Sequence, residues 1–161
     1  MLNSYSMTFD GDILRRGFWL YVWEIKGTNS HHLYVGRTGD TSTANASSPF
    51  KRIGQHLDPS PKAKGNALGK QLRHAGIDCG DCTFEMTAIG PIFPEQSDFK
   101  SHIPFRDRMA AIERAVSDEL KRRSYIVLGT HPRIGTVEPN LLGEITSLLD
   151  RRFPALPHPG L

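Results

Sequence analysis

The stretch Phe18-Trp19-Leu20-Tyr21-Val22-Trp23-Glu24-Ile25 constrains the fold of this chain more than any other segment. Aromatic and β-branched side chains crowd it, and such a run reads as a β-strand. Residues 26–30, Lys-Gly-Thr-Asn-Ser, have turn chemistry, and His32-Leu33-Tyr34-Val35-Gly36 reads as a second strand. Two strands joined by a short polar turn predict an antiparallel hairpin.

Around this hairpin the remaining pattern is mixed. Residues 37–48 are polar and predict a mobile loop. Ser48-Pro49 is a helix start, with serine as N-cap and proline in the first turn, and the spacing of Phe50, Ile53 and Leu57 predicts a helix over 49–57 with those three on its buried face. A second helix is expected over 66–74, ending at Gly76. Residues 82–89 alternate as a third strand, and 90–104, with its prolines, reads as a loop. Met109, Ile112, Val116 and Leu120 form an apolar stripe that predicts the longest helix, over 107–127. A turn-rich loop over 129–139 and a last helix over 140–151 follow. The expected fold is α+β: a small central antiparallel three-stranded sheet flanked by helices, in the order β-β-α-α-β-α-α. Residues 1–16 read as a leader, 17–151 as one domain and 152–161 as a Pro-rich tail.

Composition narrows the class. The 161 residues, 38% hydrophobic and 23% charged, match an ordinary soluble domain of adequate core. No run of about 18 apolar residues is present, so no membrane span is expected. The first residues lack the apolar stretch of a secretory signal, and two cysteines build no disulfide framework, so a reducing, cytoplasmic setting is expected. A net charge of +3 is compatible with nucleic-acid binding without indicating it.

A few side chains stand out chemically. Tyr21 and Tyr34 lie on neighbouring strands, either as a cross-strand aromatic pair or as reactive phenols. Arg52 and His56 are four apart, on one helix face, and suit either a solvated surface or a phosphate site. Arg37 and Lys51 would add positive charge there. Glu113 has no basic residue three or four positions away on its own helix, unlike Asp118 and Glu119, yet it borders the apolar stripe. Such a carboxylate needs a cation, a donor or water, and a hard divalent ion that keeps waters and phosphate oxygens would serve. Cys79-Gly80-Asp81-Cys82 has no second cysteine pair to complete a zinc site and leads into a strand rather than a helix, so it reads as turn cysteines. His31 and His32 are expected to be solvent-exposed in the turn.

In this order the parts resemble the GIY-YIG nuclease family. Leu20-Tyr21 and Tyr34-Val35-Gly36 resemble the two halves of the name motif. Arg52-x-x-x-His56 matches the family's Arg-x-x-x-His helix, and Ala111-Ile112-Glu113-Arg114-Ala115 resembles the helix bearing its metal-binding glutamate. Residues 69–76 are similar to the helix that follows in homing-type members. The likeness spans about residues 17–140. Trp19 stands where the family has glycine, and the loop from Gly36 to Arg52 is longer than usual. The resemblance implies a divalent-metal-dependent endonuclease that hydrolyses DNA, with Tyr21 and Tyr34 acting on the attacking water, Arg52 on the scissile phosphate and His56 on a tyrosine. Glu113 would hold one Mg²⁺ or Mn²⁺, and Asn140 would match the family's late asparagine at the substrate. A single site cuts one strand, so a double-strand break implies a homodimer, two encounters or a second protein supplying specificity. The alternative is a nucleic-acid-binding module of the same fold without catalysis, which the replaced glycine and long loop favour.

Overall fold

A computed structural model describes residues 2–60, 62–131 and 135–157. Parts of four sequence expectations lie outside the described residues: Met1 of the leader, Pro61 at the helix stop, 132–134 of the late loop and 158–161 of the tail. Strands β1 (Phe18–Gly27) and β2 (Ser30–Arg37) form the expected hairpin, in the register Tyr21 opposite Gly36 and Trp23 opposite Tyr34. Helices α1 (Pro49–His56) and α2 (Ala67–His74) follow, then β3 (Thr83–Phe93), α3 (Phe99–Arg122), β4 (Val127–Leu128) and α4 (Pro139–Asp150). The fold is α+β. The sheet, however, is four-stranded and mixed, ordered β3-β1-β2-β4, because β4 pairs with β2 in parallel.

Position in the sheet explains the hairpin's first strand. β1 is central, and its two faces are covered by different helices. Phe18, Leu20 and Val22 join Leu33 and Val35 beneath α3 and α4, against Met109, Ile112, Val116, Leu120, Ile145 and Leu149. Tyr21, Trp23 and Ile25 pack on the other side with Leu68 and Leu72 of α2, Ile53 of α1 and Leu57 just past its end. A strand buried on both faces shows continuous apolar character rather than alternation. Glu24 is the exception, and Lys26 and Arg152 neutralise it. His31 is exposed, as expected, with Nε2 2.9 Å from Glu24 Oε1.

Three boundaries differ from the sequence reading, each for a local reason. β3 runs through Pro91 because it is an edge strand whose register with β1 shifts between Phe18 and Leu20, and proline is tolerated at such irregular edges. α3 begins at Phe99, before Pro104, because the Asp98 side chain caps it by accepting from Ser101 N at 2.9 Å. Pro104 removes one helical hydrogen bond near the exposed first turns. At the other end α3 stops at Arg122, where Ser124 takes a left-handed conformation (φ 71°). Ser124 N donates to Lys121 O at 3.0 Å and Tyr125 N to Leu120 O at 3.1 Å. These are the paired bonds that glycine usually closes, and serine in that place hid the stop. The released chain supplies the two-residue β4.

Candidate active site

The buried face of α1 is turned from the one its apolar spacing suggests: Ile53 and Leu57 still reach the core, Phe50 does not, and Arg52 and His56 are buried beside them. Phe50 is 36% exposed, whereas Arg52 is 8% and His56 3% exposed. Phe50 packs on Phe9 of the leader, with ring centroids 4.8 Å apart. Ser48 caps the helix and Pro49 starts it, as the sequence indicates, and this turns Arg52 and His56 toward the sheet. Ile53 and Leu57 remain half-buried at the edge of the same cluster. The solvated-surface reading of Arg52 and His56 is overturned.

His56 sits between the two phenols. Its ring lies edge-on to Tyr21 and to Tyr34, each at a centroid distance of 5.5 Å. Tyr21 and Tyr34 share a sheet face as diagonal neighbours, not as a directly opposed pair, because Gly36 stands opposite Tyr21. Glycine is required there: a Cβ at Gly36 would come within 2.7 Å of Tyr21 Cζ and Oη. The glycine of Tyr34-Val35-Gly36 is thus the floor on which the Tyr21 ring lies.

The Tyr21 hydroxyl is 2.7 Å from His56 Nε2 and 3.1 Å from the Arg37 carbonyl oxygen. One hydroxyl proton serves two patterns. With His56 protonated at Nε2, the imidazole donates to Tyr21 and Tyr21 donates to the carbonyl. With His56 protonated at Nδ1, Tyr21 donates to Nε2. His56 Nδ1 has no hydrogen-bond partner among the described residues. Rotation of the hydroxyl and a change of tautomer interconvert the two.

Charges surround this neutral centre. Arg37, at the end of β2, donates from Nε to Glu113 Oε2 of α3 at 3.0 Å, which supplies the partner that Glu113 lacks on its own helix. Arg52 forms an ion pair with Asp40 and donates from Nη1 to Gln55 Oε1 at 3.3 Å. Burial pushes Glu113 above the usual carboxylate range, against the opposing pull of Arg37 and Arg52. Burial also raises Tyr21 well above an ordinary phenol, with Arg52 opposing and the charge of Glu113 adding to the rise. Tyr34 is pushed up to about 12, by burial first and then by Glu113. His56 is pushed down to about 4 by burial and by Arg52, so it is neutral at physiological pH.

Six of the residues singled out in the sequence therefore come together: Tyr21, Tyr34, Arg37, Arg52, His56 and Glu113. The charges of Arg37, Arg52 and Glu113 act on both phenols, so the carboxylate of the long helix is not remote from them. Two are not brought in. Lys51 and Asn140 are exposed, and no hydrogen bond or ion pair joins either side chain to the cluster among the described residues. Asp40 and the supporting role of Gly36 escape sequence reasoning. Asp40 lies in a polar loop with no periodicity, and Gly36 shows only that backbone space was needed somewhere.

The Trp19 indole Nε1 donates to Arg15 O at 3.0 Å, and its ring lies where a Cβ at Gly90 would come within 2.9 Å. The large side chain on β1 is matched by a glycine on β3. Cys79 and Cys82 are free, half-buried thiols flanking a short turn. Among the described residues no three His, Cys, Asp or Glu side chains group as a metal site, and no helix is long and apolar enough to cross a membrane. Glu113 presents one carboxylate, with Oε2 taken by Arg37. That donor set suits Mg²⁺, a hard ion that takes oxygen ligands and keeps several waters beside one or two carboxylates.

No protein-family model, curated protein or solved structure matches the chain.

Proposed function

We propose that this chain is a divalent-metal-dependent endonuclease that hydrolyses DNA phosphodiesters, with the GIY-YIG-like site centred on Tyr21. The observation that carries the reading is the convergence of two phenols, a neutral imidazole, a buried guanidinium and a half-buried carboxylate drawn from four separate elements. Arg52 binds the scissile phosphate through its planar fork of donors. Water attacks phosphorus and the bond to the 3′ oxygen breaks; the departing oxygen takes a proton from solvent water, leaving a 5′ phosphate and a 3′ hydroxyl. Tyr21 Oη takes the water's proton while its own passes to His56 Nε2, so no free phenolate has to form. Tyr34 shields His56, and Glu113 is the residue that would hold Mg²⁺ or Mn²⁺. A divalent ion held there would contribute positive charge against the negative charge that builds up as the phosphodiester is cleaved.

Purified protein incubated with supercoiled plasmid in Mg²⁺ tests this. Nicking that EDTA abolishes and that Glu113→Ala and Arg52→Ala each remove is expected, whereas full activity in either variant refutes the assignment. One observation favours the second reading, a binding module without catalysis. Both cationic side chains of the cluster are already held by carboxylates, Arg37 by Glu113 and Arg52 by Asp40. Salt-sensitive DNA binding without nicking would select it.

A further inference from the structure

Arg52 is buried and Asp40, its partner, is not. The Arg52 side chain is 9% exposed and that of Asp40 42%. The guanidinium pairs with Asp40 by charge at Nη2 and donates from Nη1 to Gln55, while among the described residues neither Nε nor Nη2 has a hydrogen-bond partner. A carboxylate and a phosphate accept from a guanidinium through the same pair of parallel donors. Asp40, the more exposed partner of this buried guanidinium, is therefore a chemical stand-in for a phosphate.

The backbone beside Asp40 is held in place. Thr38 Oγ1 donates to Gly17 O at 2.6 Å and accepts from Trp19 N at 2.9 Å. Buried His102 donates from Nε2 to Gly39 O at 2.9 Å. Gly39 has φ +78°, and a Cβ there would lie 2.5 Å from Phe18 Cδ1, so only glycine fits. Past the loop, Glu95 accepts from Ala46 N at 2.9 Å, and Arg16 ties Glu95 to Asn45. Both ends of the loop are thus anchored, and the Asp40 side chain between them borders water.

We propose that Asp40 is an internal phosphate mimic, which occupies Arg52 in the resting protein and yields it to a phosphodiester on binding. This rests on the reading of the site as one for phosphodiesters. The loop over 38–48 then acts as a filter, because a substrate phosphate must displace a tethered carboxylate and weakly held anions are rejected. The opposite role, Asp40 as a positioning residue that holds Arg52 ready for substrate, predicts the opposite sign for its removal.

The test is binding of a fluorescently labelled short DNA duplex in EDTA, followed by anisotropy over a salt series. The proteins are wild type, Asp40→Asn, Asp40→Ser, Arg52→Ala and the double variant Asp40→Asn with Arg52→Ala. Thermal unfolding establishes that each is folded, and either Asp40 variant suffices if the other is not. Removal of Asp40 is expected to tighten binding about tenfold and to steepen the salt dependence by up to about one phosphate contact. The gain should vanish without Arg52. Unchanged or weaker binding, or a gain that survives in the double variant, overturns the proposal. Plasmid nicking in Mg²⁺ reads the hydrolytic function separately. A wild type that nicks while the Asp40 variants bind no better defeats the mimic alone. Tighter binding without nicking defeats hydrolysis alone, and absence of binding by every variant defeats both.

Discussion

The Tyr21 hydroxyl and His56 Nε2 meet at 2.7 Å across 35 positions of sequence, in a spot where both side chains are buried. Neither is charged at neutral pH, since burial raises the phenol and lowers the imidazole. Their hydrogen bond is thus one between neutral groups, with the one hydroxyl proton free to point to imidazole or carbonyl.

Tyr21→Phe removes this proton and keeps the ring. His56 Nε2 and the Arg37 carbonyl then lose a partner in a buried place, which costs about 1–3 kcal/mol of stability. If the phenol takes part in proton transfer, nicking falls by about 10²–10⁴ as well. Urea denaturation and plasmid nicking measure the two effects. Unimpaired nicking by a folded Tyr21→Phe protein removes Tyr21 from the mechanism.

Gly36→Ala tests the floor beneath that ring. The added Cβ falls 2.7 Å from Tyr21 Cζ and Oη, so the ring or the strand must shift. Overpacking of this kind costs about 1–3 kcal/mol. The penalty should shrink in a Tyr21→Ala background, because the clash has then gone. A double-mutant cycle on unfolding free energy reads the coupling, and simple additivity would contradict the geometry.

How much of this the sequence disclosed depends on the range of the interaction. The hairpin, the capped start of α1 and the glycine end of α2 are local events, and local residues announce them. The buried sense of α1 is not local. Phe50 looks like core by spacing, but the sheet face opposite α1 carries Tyr21 and Tyr34, and these select the polar face of the helix. Glu113 was legible by elimination, as an acid without a partner on its helix, but its actual partner Arg37 lies 76 positions away. β4 escaped notice because two residues carry no period, and its pairing with Leu33 and Tyr34 exists only once α3 has brought the chain back. Pro91 and Pro104 misled for one shared reason: each sits where a missing N–H is tolerated, at an irregular edge and near a helix start.

His56 should also mark the acid limb of stability. It is held at about 4 in the folded protein against 6.5 for a free imidazole. Between these values the unfolded chain takes up a proton that the native protein refuses. Stability from this source is complete above pH 6.5 and is lost as pH falls toward 4, by about 3 kcal/mol in full. His32 and His131, also lowered by burial, act with the same sign. Glu113, raised by burial, contributes with the opposite sign and loses stability as pH rises. His56→Gln should therefore flatten, without abolishing, the decline in unfolding free energy between pH 6.5 and 4.5. An unaltered slope in urea titrations across that range would show that His56 titrates normally.

Arg37 and a divalent ion would compete for one carboxylate. The guanidinium holds Glu113 Oε2 at 3.0 Å, so an arriving cation meets a positive charge already in place. Arg37→Gln removes that charge, and Mg²⁺ or Mn²⁺ should then bind about tenfold more tightly, which is 1.4 kcal/mol. Such a gain is modest beside the ~4 kcal/mol between unit charges 4 Å apart at an effective dielectric of 20. Glu113→Gln should abolish binding, since an amide oxygen then replaces the Glu113 carboxylate. Thermal unfolding in a metal titration without DNA reads both, because an ion that binds only the folded chain raises the melting temperature with concentration. A melting temperature that responds to metal equally in wild type and Glu113→Gln would place any bound ion elsewhere and leave Glu113 as a structural partner of Arg37.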